Sequence, residues 1–515
     1  MAFSNSKAES TALAAAALLL GTCVVLWLAG WWTQGFVSAW PRFEDDAYYY
    51  LVIARNAASG RGFTADGLSP TNGFQPLWMW LLVPIAWLTS GEPTRLLAAA
   101  QLVVVFVFAA SGALLWDLLR SRLGFLPALL GTAVVFVPRF TNVLVSGMES
   151  GVAVLLLVML LRDLAGRARS WRTGALLGLL MLARLDSVFV GAALAGYLGA
   201  AGMARGPAPL VERALHTARE ALRVFWPTVA LVAPYLAWNI LAFGHVVPIS
   251  GALKTSHSEL GWTPENLNPA YLALLALAVA GGALLWRRAA DRRLGEALLA
   301  LTAGLVLHAL HSVVFMRWAV FAWHFALFIP VGAVGAAALA REAQQRLPRP
   351  ALPLAAAAVA ALLVAVQAAA ILRLPLTFTG AGREAGEWVA RTLPADAVLA
   401  MKDSGAFSYY ARRRVMNLDG VVNSFEFAET VCRGELADFL RAHHVEYVAQ
   451  HSVPPDVRGG NYESFTQRYP CHLSGGRDSD LVLRREREVY RGSPYRDYTG
   501  QANDLIIWRV AEPAS

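Results

Sequence analysis

Apolar stretches close to the roughly 20 residues needed to cross a hydrocarbon core recur from Thr11 to about Arg373 and then stop. In lipid a backbone must satisfy its polar groups within the segment, so repeated runs of this kind fold as a bundle of spanning helices. The chain is 57% hydrophobic and 16% charged, against about 45–50% apolar residues in a soluble domain. These features predict a polytopic α-helical membrane protein over residues 1–373, followed by a small soluble α/β domain over 374–515. Thr11 to Trp32 is long and lacks a small-residue cleavage site, which predicts a retained span rather than a signal peptide. The net charge of +8 sits in Arg clusters between apolar segments, where it sets orientation. No nucleic-acid partner is expected. Cys23 lies in the first span. Cys432 and Cys471 fit either a disulfide, expected if the soluble domain is outside the cytoplasm, or two free thiols.

Lys and Arg near membrane ends stay inside. The clusters Arg120/Arg122, Arg162 to Arg172, Arg205 to Arg223, Arg287 to Arg293 and Arg341 to Arg349 are therefore expected on the cytoplasmic side. Spans are predicted near 124–140, 148–162, 173–186, 188–203, 224–243, 270–286, 295–313, 318–339 and 351–373. The apolar segment 76–90 is short and contains Pro84 with Trp78, Trp80 and Trp87, so it is read as lying at the interface. The total is about eleven crossings, within a range of 11 to 13 transmembrane helices, and the C-terminal domain is extracytoplasmic.

In the tail, "EAGEWVART", "GAFSYYARR" and "GELADFLRAHH" read as helices between the short strands "AVLAM", "RVMNL" and "VEYVAQH", an alternation that predicts a parallel α/β unit. Asp403 and Asp419 fall just past strand ends, where such sheets hold ligands. Loop carboxylates that only cap helices are the commoner case.

Ionisable residues near a bilayer are costly and are usually paired or functional. On the predicted outer face they gather as Glu44, Asp45, Asp46, Glu149, Arg184, Asp186, His245, Lys254 and Arg317, with His311 and His324 nearby. Arg184 and Asp186 could simply pair with each other, and His311 could be a satisfied polar group. Three adjacent carboxylates in the first outer loop (33–75) are harder to explain structurally, because they repel and raise at least one pKa. The turn-rich "SPTNGFQPLW" then returns the chain to the membrane, with Asn72-Gly73 read as a tight turn. An acidic cluster held at the membrane surface suits a general base or a metal site.

The ordered set "EDDAYYYLVIARNAASGRGFT", "TNGFQPLW", "GMES" and "DSGAFSYYARRRVMNLDG" resembles the GT-C superfamily of integral-membrane glycosyltransferases. Within it, the set is similar to bacterial relatives of the protein mannosyltransferases and of actinobacterial terminal arabinofuranosyltransferases. "NGFQPLW" departs from the "TNPLW" of the latter, which counts against an arabinose assignment. The resemblance implies an inverting transferase in the bacterial cytoplasmic membrane that takes a sugar from a polyprenyl-phosphate donor at the outer face. The acceptor would be a hydroxyl of a glycan, lipid or protein. Asp45 is expected as the base, with Asp46 or Glu44 orienting the acceptor or holding a cation. Lys254 or Arg317 would bind the donor phosphate, and Glu149, Arg184, Asp186 and His245 would complete the substrate site. The superfamily contains metal-dependent and metal-independent members, so a divalent cation, Mg or Mn, stays open. The rival reading is a transporter or lipid flippase whose charges line a path. Two matching inverted halves, which such proteins often show, are not visible in the sequence.

Overall fold

The computed structural model describes residues 43–510 apart from 167–169, 205–208, 256–259, 319, 347–376, 453–480, 482 and 497–500. The expected spans 11–32 and 351–373, the 373/374 boundary, Cys23 and Cys471 lie outside the described residues. Cys432 is disulfide-bonded, one of the two forms that the sequence left open.

The helical part runs α1 (Asp45–Ala58), α2 (Pro76–Leu88), α3 (Pro93–Leu123), α4 (Phe125–Val135), α5 (Pro138–Leu144), α6 (Ser150–Ala165) and α7 (Trp171–Ala183). It continues through α8 (Val188–Met203), α9 (Leu210–Phe243), α10 (Ile249–Lys254), α11 (Pro269–Trp286), α12 (Arg292–Val314) and α13 (Phe328–Arg346). Among the described residues five helices are long and apolar enough to cross a membrane: α3, Leu185–Met203, α9, α11 and α12. A sixth forms if α4 and α5 count as one broken span. The count of 11 to 13 is thus only partly represented.

Several expected spans take a different form. The segment expected at 124–140 bends by 67° between α4 and α5, at Pro138, which takes the first helical position of α5, where its missing N–H costs nothing. The span expected at 318–339 begins only at Phe328, after a 3-10 turn at Ala322–Phe325. α9 absorbs Arg213, Arg219 and Arg223, which had been expected in a loop. α2 is a 13-residue apolar helix, too short to span at 1.5 Å per residue.

The C-terminal part comprises α14 (Phe378–Thr392), β1 (Val398–Met401), α15 (Gly405–Ala411), β2 (Arg414–Asn417), α16 (Phe425–Cys432), α17 (Leu436–Ala442), β3 (Tyr447–Ser452), β4 (Glu488–Arg491), β5 (Tyr495–Arg496) and β6 (Ala502–Arg509). Every helix and strand read from the tail sequence is present. The sheet order is β2-β1-β3-β6-β4, with β5 beside β6. β2, β1 and β3 are parallel, whereas β6 runs antiparallel to β3, so the sheet is mixed. Side chains alternate across it as the pleat requires. Ala400, Met416 and Val448 pack on α16 and α17, while Leu399, Met401 and Val415 pack on α14 and α15. Both faces are covered, and the carboxyl ends of β1 and β2 remain for polar contacts.

α1 joins the two parts. Asp45 and Asp46 occupy its first turn, where carboxylates favour the helix dipole. At about 100° per residue the two side chains leave on different faces. Asp45 turns toward α15 and accepts the N–H of Gly405 on Oδ2 and of Ala406 on Oδ1, each at 2.8 Å. Tyr48, one turn on, packs against Tyr409 with ring centroids 5.4 Å apart, and Arg55 donates to the Tyr409 carbonyl at 3.2 Å. Tyr49 points between the faces: its hydroxyl donates to Asp419 at 2.8 Å and accepts the N–H of Ser404 at 2.9 Å.

This docking leaves no room for a side chain at two glycines. A Cβ on Gly405 would lie 1.9 Å from the Asp45 carbonyl oxygen, and one on Gly73 would lie 2.0 Å from that of Val421. Close backbone approach, rather than a turn with positive φ, is therefore what Gly73 provides. Thr71 adds a bond to the Asn423 carbonyl at 2.9 Å.

Gly73→Ala is expected to lower stability by about 1–3 kcal/mol or more through overpacking, read as a lower melting temperature in detergent. Gly196→Ala, where no atom lies within 4 Å of the added carbon, serves as the neutral control. Asp45→Asn leaves one amide oxygen for two N–H donors, so a cost of about 1–3 kcal/mol is expected for the stranded donor. It should appear as faster proteolysis of the C-terminal part, and unchanged melting and proteolysis would refute the docking role.

Candidate active site

The opposite face of α1 opens on a cavity of about 740 Å³ whose polar end is lined by Asp46, Tyr50, Glu149, Arg184, Asp186 and Lys254. Asp46, Tyr49 and Tyr50 are at i, i+3 and i+4, hence neighbours on one helical face. Asp46 is half-buried, and among the described residues no group donates a hydrogen bond to its carboxylate. Its pKa is pushed up to about 6, chiefly by burial, with Asp419 and Glu149 adding to the rise and Lys254 opposing it. Burial also carries Asp45 well above the ordinary range, against the pull of the Ala406 N–H. Asp403, just beyond β1, rises to about 7 through burial and the Asp419 charge. Its backbone is left-handed, at φ +49°, while its N–H binds Asp419 at 3.1 Å.

The floor of the cavity is an ionic network built on a helix break. α7 ends at Ala183, a 3-10 turn covers Leu185–Ser187, and α8 begins at Val188. The break turns Arg184 and Asp186 inward. Arg184 reaches Glu149 through Nη1 at 2.7 Å and Asp186 through Nε and Nη2 at 3.2 and 2.5 Å. Glu149 and Arg184 are 2% and 3% exposed, so water does not screen this pairing. Tyr50 donates to the other oxygen of Glu149 at 2.8 Å, and His308 Nε2 lies 3.4 Å from Asp186. Arg184 is thus committed to two carboxylates, so of the Lys and Arg side chains in the lining Lys254 is the cation left to meet an anionic ligand.

The first-loop motif fixes this arrangement. Buried Asn72 accepts the N–H of Ile249 at 3.0 Å and donates to Asn239 at 3.1 Å, which pins the start of α10 and so carries Lys254 into place. Gln75 accepts the N–H of Leu185 at 3.1 Å, within the helix break, and gives its own N–H to the Tyr50 hydroxyl at 3.2 Å. Trp78 donates to the Gly147 carbonyl at 3.0 Å. Gly147 has φ +83°, and a Cβ there would meet the Phe43 ring at 2.4 Å. The "GMES" segment consequently brings Glu149 in from a turn that only glycine fits.

Of the residues expected at the site, Asp46, Glu149, Arg184, Asp186, His245, Lys254, His311 and His324 line this cavity. His245 also stacks on Phe425, with centroids 4.0 Å apart. Asp45 is in the docking interface. Glu44 is the exposed N-cap of α1, and its side chain makes no capping bond. Arg317 lies outside the cavity lining, its Nη1 donating to the carbonyls of Val314 and Met316 at 2.9 and 3.3 Å. Sequence reasoning missed Tyr50, Gln75 and His308. The i+4 spacing from Asp46 could have flagged Tyr50. Among the described residues no cluster of three His, Cys, Asp or Glu side chains is placed to hold a metal ion.

Residues 372–490 match a family described as a domain of unknown function (DUF8728). No curated protein matches the sequence significantly. Solved structures do share its fold. ArnT from Cupriavidus metallidurans, bound to undecaprenyl phosphate, is 13% identical with a TM-score of 0.52, over 97% of this chain and 99% of that one. The archaeal oligosaccharyltransferase AglB from Archaeoglobus fulgidus, in complex with an inhibitory peptide and a dolichol-phosphate, is 15% identical with a TM-score of 0.51, over 85% of this chain and 69% of that one. The sequence resemblance and this likeness agree: the chain has the fold of the GT-C glycosyltransferases.

Proposed function

We propose that the chain is an inverting glycosyltransferase that moves a sugar from a polyprenyl-phosphate donor to a hydroxyl acceptor, a cell-envelope glycan, a lipid or a protein. The reaction would take place at the outer face of a bacterial cytoplasmic membrane, beside an extracytoplasmic C-terminal domain that begins near residue 374. The observation that carries this reading is the carboxylate of Asp46, which no group among the described residues supplies with a hydrogen bond, in a cavity that combines a charged end with a stretch of apolar wall. Val188, Phe189, Val232, Leu236 and Val247 supply that apolar wall, which suits a ligand with a charged head and a prenyl chain. The two solved structures with the same fold hold lipid phosphates, undecaprenyl phosphate and a dolichol-phosphate.

In this reading Asp46, rather than Asp45, is the general base. It takes the proton of the acceptor hydroxyl as that oxygen bonds to the anomeric carbon. The bond from that carbon to the phosphate oxygen breaks, and its electron pair leaves with the lipid phosphate. Lys254 neutralises the departing charge as a point cation. The Tyr50–Glu149–Arg184–Asp186 network fixes the floor on which the sugar rests, and His245 closes the side toward Phe425. A single displacement with one base and a good leaving group inverts the anomeric centre.

Asp46→Asn should fold normally while transfer of radiolabelled sugar from a farnesyl-phosphate donor falls on the order of a hundredfold or more, the usual size of a lost general base. A fully active Asp46→Asn protein would remove the assignment. The rate should rise with pH through about 6 as Asp46 ionises. Stability should move the opposite way. Asp46 and Asp403 have pKa values raised in the folded state to about 6 and about 7, so the native protein binds more protons than the unfolded chain. Stability is therefore fullest below about pH 4 for these groups and is lost as pH rises through 6 to 7. Melting temperatures across pH 4–8 check the sign.

Lys254→Met is expected to raise the donor KM and lower kcat together, whereas Arg317→Ala should leave the donor KM near wild type. Equal losses in both variants would return Arg317 to the phosphate site.

A further inference from the structure

The cavity contains one more polar side chain in a defined state. His324 sits in the 3-10 turn Ala322–Phe325 and lines the cavity. Its backbone N–H donates to the Phe321 carbonyl at 3.1 Å, and the Phe321 N–H lies 3.2 Å from its Nδ1. The Phe321 carbonyl is also 3.1 Å from Nδ1, so two tautomers must be weighed. If Nδ1 carried the proton, the Phe321 carbonyl would receive two donors and the Phe321 N–H would lose its acceptor. If Nδ1 accepts, the reciprocal pair closes as a capping box does, with each backbone group satisfied once. The proton then resides on Nε2, the nitrogen not engaged with Phe321, on a ring that lines the cavity.

The surroundings hold the ring in this neutral form. Lys254 on α10, Arg184 and Asp186 at the helix break and His308 on α12 are the charged and titratable groups that face it. Burial comes first, and the Lys254 and Arg184 charges add to it, so the His324 pKa is held well below the ordinary histidine value. Trp323 stacks between Phe321 and His324, with centroids 4.6 and 6.1 Å away, and limits rotation of the turn.

We propose that the Nε2–H of His324 is a catalytic hydrogen-bond donor to the lipid phosphate, acting beside Lys254. This rests on the glycosyltransferase reading and adds a second phosphate ligand to it. A fixed neutral donor strengthens its bond as charge grows on the departing phosphate oxygen, and it requires no proton to move. Lys254 supplies the charge and His324 supplies the direction.

The test uses the full-length protein in detergent, with two variants and two readouts. His324→Gln keeps an N–H donor near the position of Nε2, whereas His324→Leu removes it. Farnesyl phosphate binding, measured by calorimetry, should weaken about tenfold or more in His324→Leu and stay within a few-fold of wild type in His324→Gln. For transfer from the farnesyl-phosphate donor to octyl glycosides, kcat should fall about 10²–10³-fold in His324→Leu, the usual effect of losing one such donor. His324→Gln should recover most of that loss, and the acceptor KM should change in neither variant. Equal binding and turnover in all three proteins would overturn the proposal and leave the glycosyltransferase reading intact. A falling rate limb between pH 6 and 7 that disappears in His324→Gln would also overturn it, because the imidazolium would then be the active form. If wild type neither binds farnesyl phosphate nor transfers sugar, the underlying reading fails, and the proposal fails with it.

Discussion

The structure depends on a carboxylate that holds its two parts together. Asp45 receives two backbone N–H groups at the start of α15, and this bidentate contact sets the sheet on the first helix. The next residues extend the same joint. Tyr49 binds Asp419 and the Ser404 N–H, Asn417 donates to the Tyr49 hydroxyl at 2.9 Å, and the Gly73 and Gly405 backbones close the gap. Each polar group in the joint is satisfied by another member of it, so the joint avoids the cost of a stranded donor or acceptor. Once it is formed, the azimuth of α1 is fixed, and Asp46 has nowhere to point but into the cavity.

A second constraint comes from buried charge. A guanidinium placed in a low-dielectric wall is tolerated only when its partners surround it. Arg184 meets that condition with two carboxylates, and Glu149 in turn has Tyr50. This network requires the chain to leave α7 one turn early, because a continuous helix would spread Arg184, Asp186 and their neighbours around its circumference. The broken helix is therefore a condition for the site. Gln75 bonds the free N–H of Leu185, which ties the break back to the first loop.

The two constraints divide the cavity between two kinds of group. Arg184, Glu149 and Asp186 neutralise one another and form a rigid floor. Asp46, Lys254 and His324 remain free to act on a ligand, and they come from three separate elements, α1, α10 and the turn before α13. Asn72 links two of these by holding α10 against the first loop. The catalytic reading thus rests on relative placement more than on any single motif.

The sequence alone determined what short-range physics controls. Apolar run length pointed to a helical bundle, strand and helix alternation gave the elements of the C-terminal unit from α14 to β3 apart from α16, and the cost of charge near lipid picked out most of the charged cavity residues. It could not separate Asp45 from Asp46. They are adjacent in the chain and chemically identical, and their difference arises from a rotation of about 100° about the axis of α1, whose zero is set by contacts with α15 more than 350 residues away. Arg317 was likewise indistinguishable from Lys254 as a cation. The peptide carbonyls at 314 and 316 turn Arg317 aside, and the bond from Asn72 to Ile249 carries Lys254 inward. Local periodicity gives identity and spacing, but direction is a property of packing between distant segments, and only the tertiary structure supplies it.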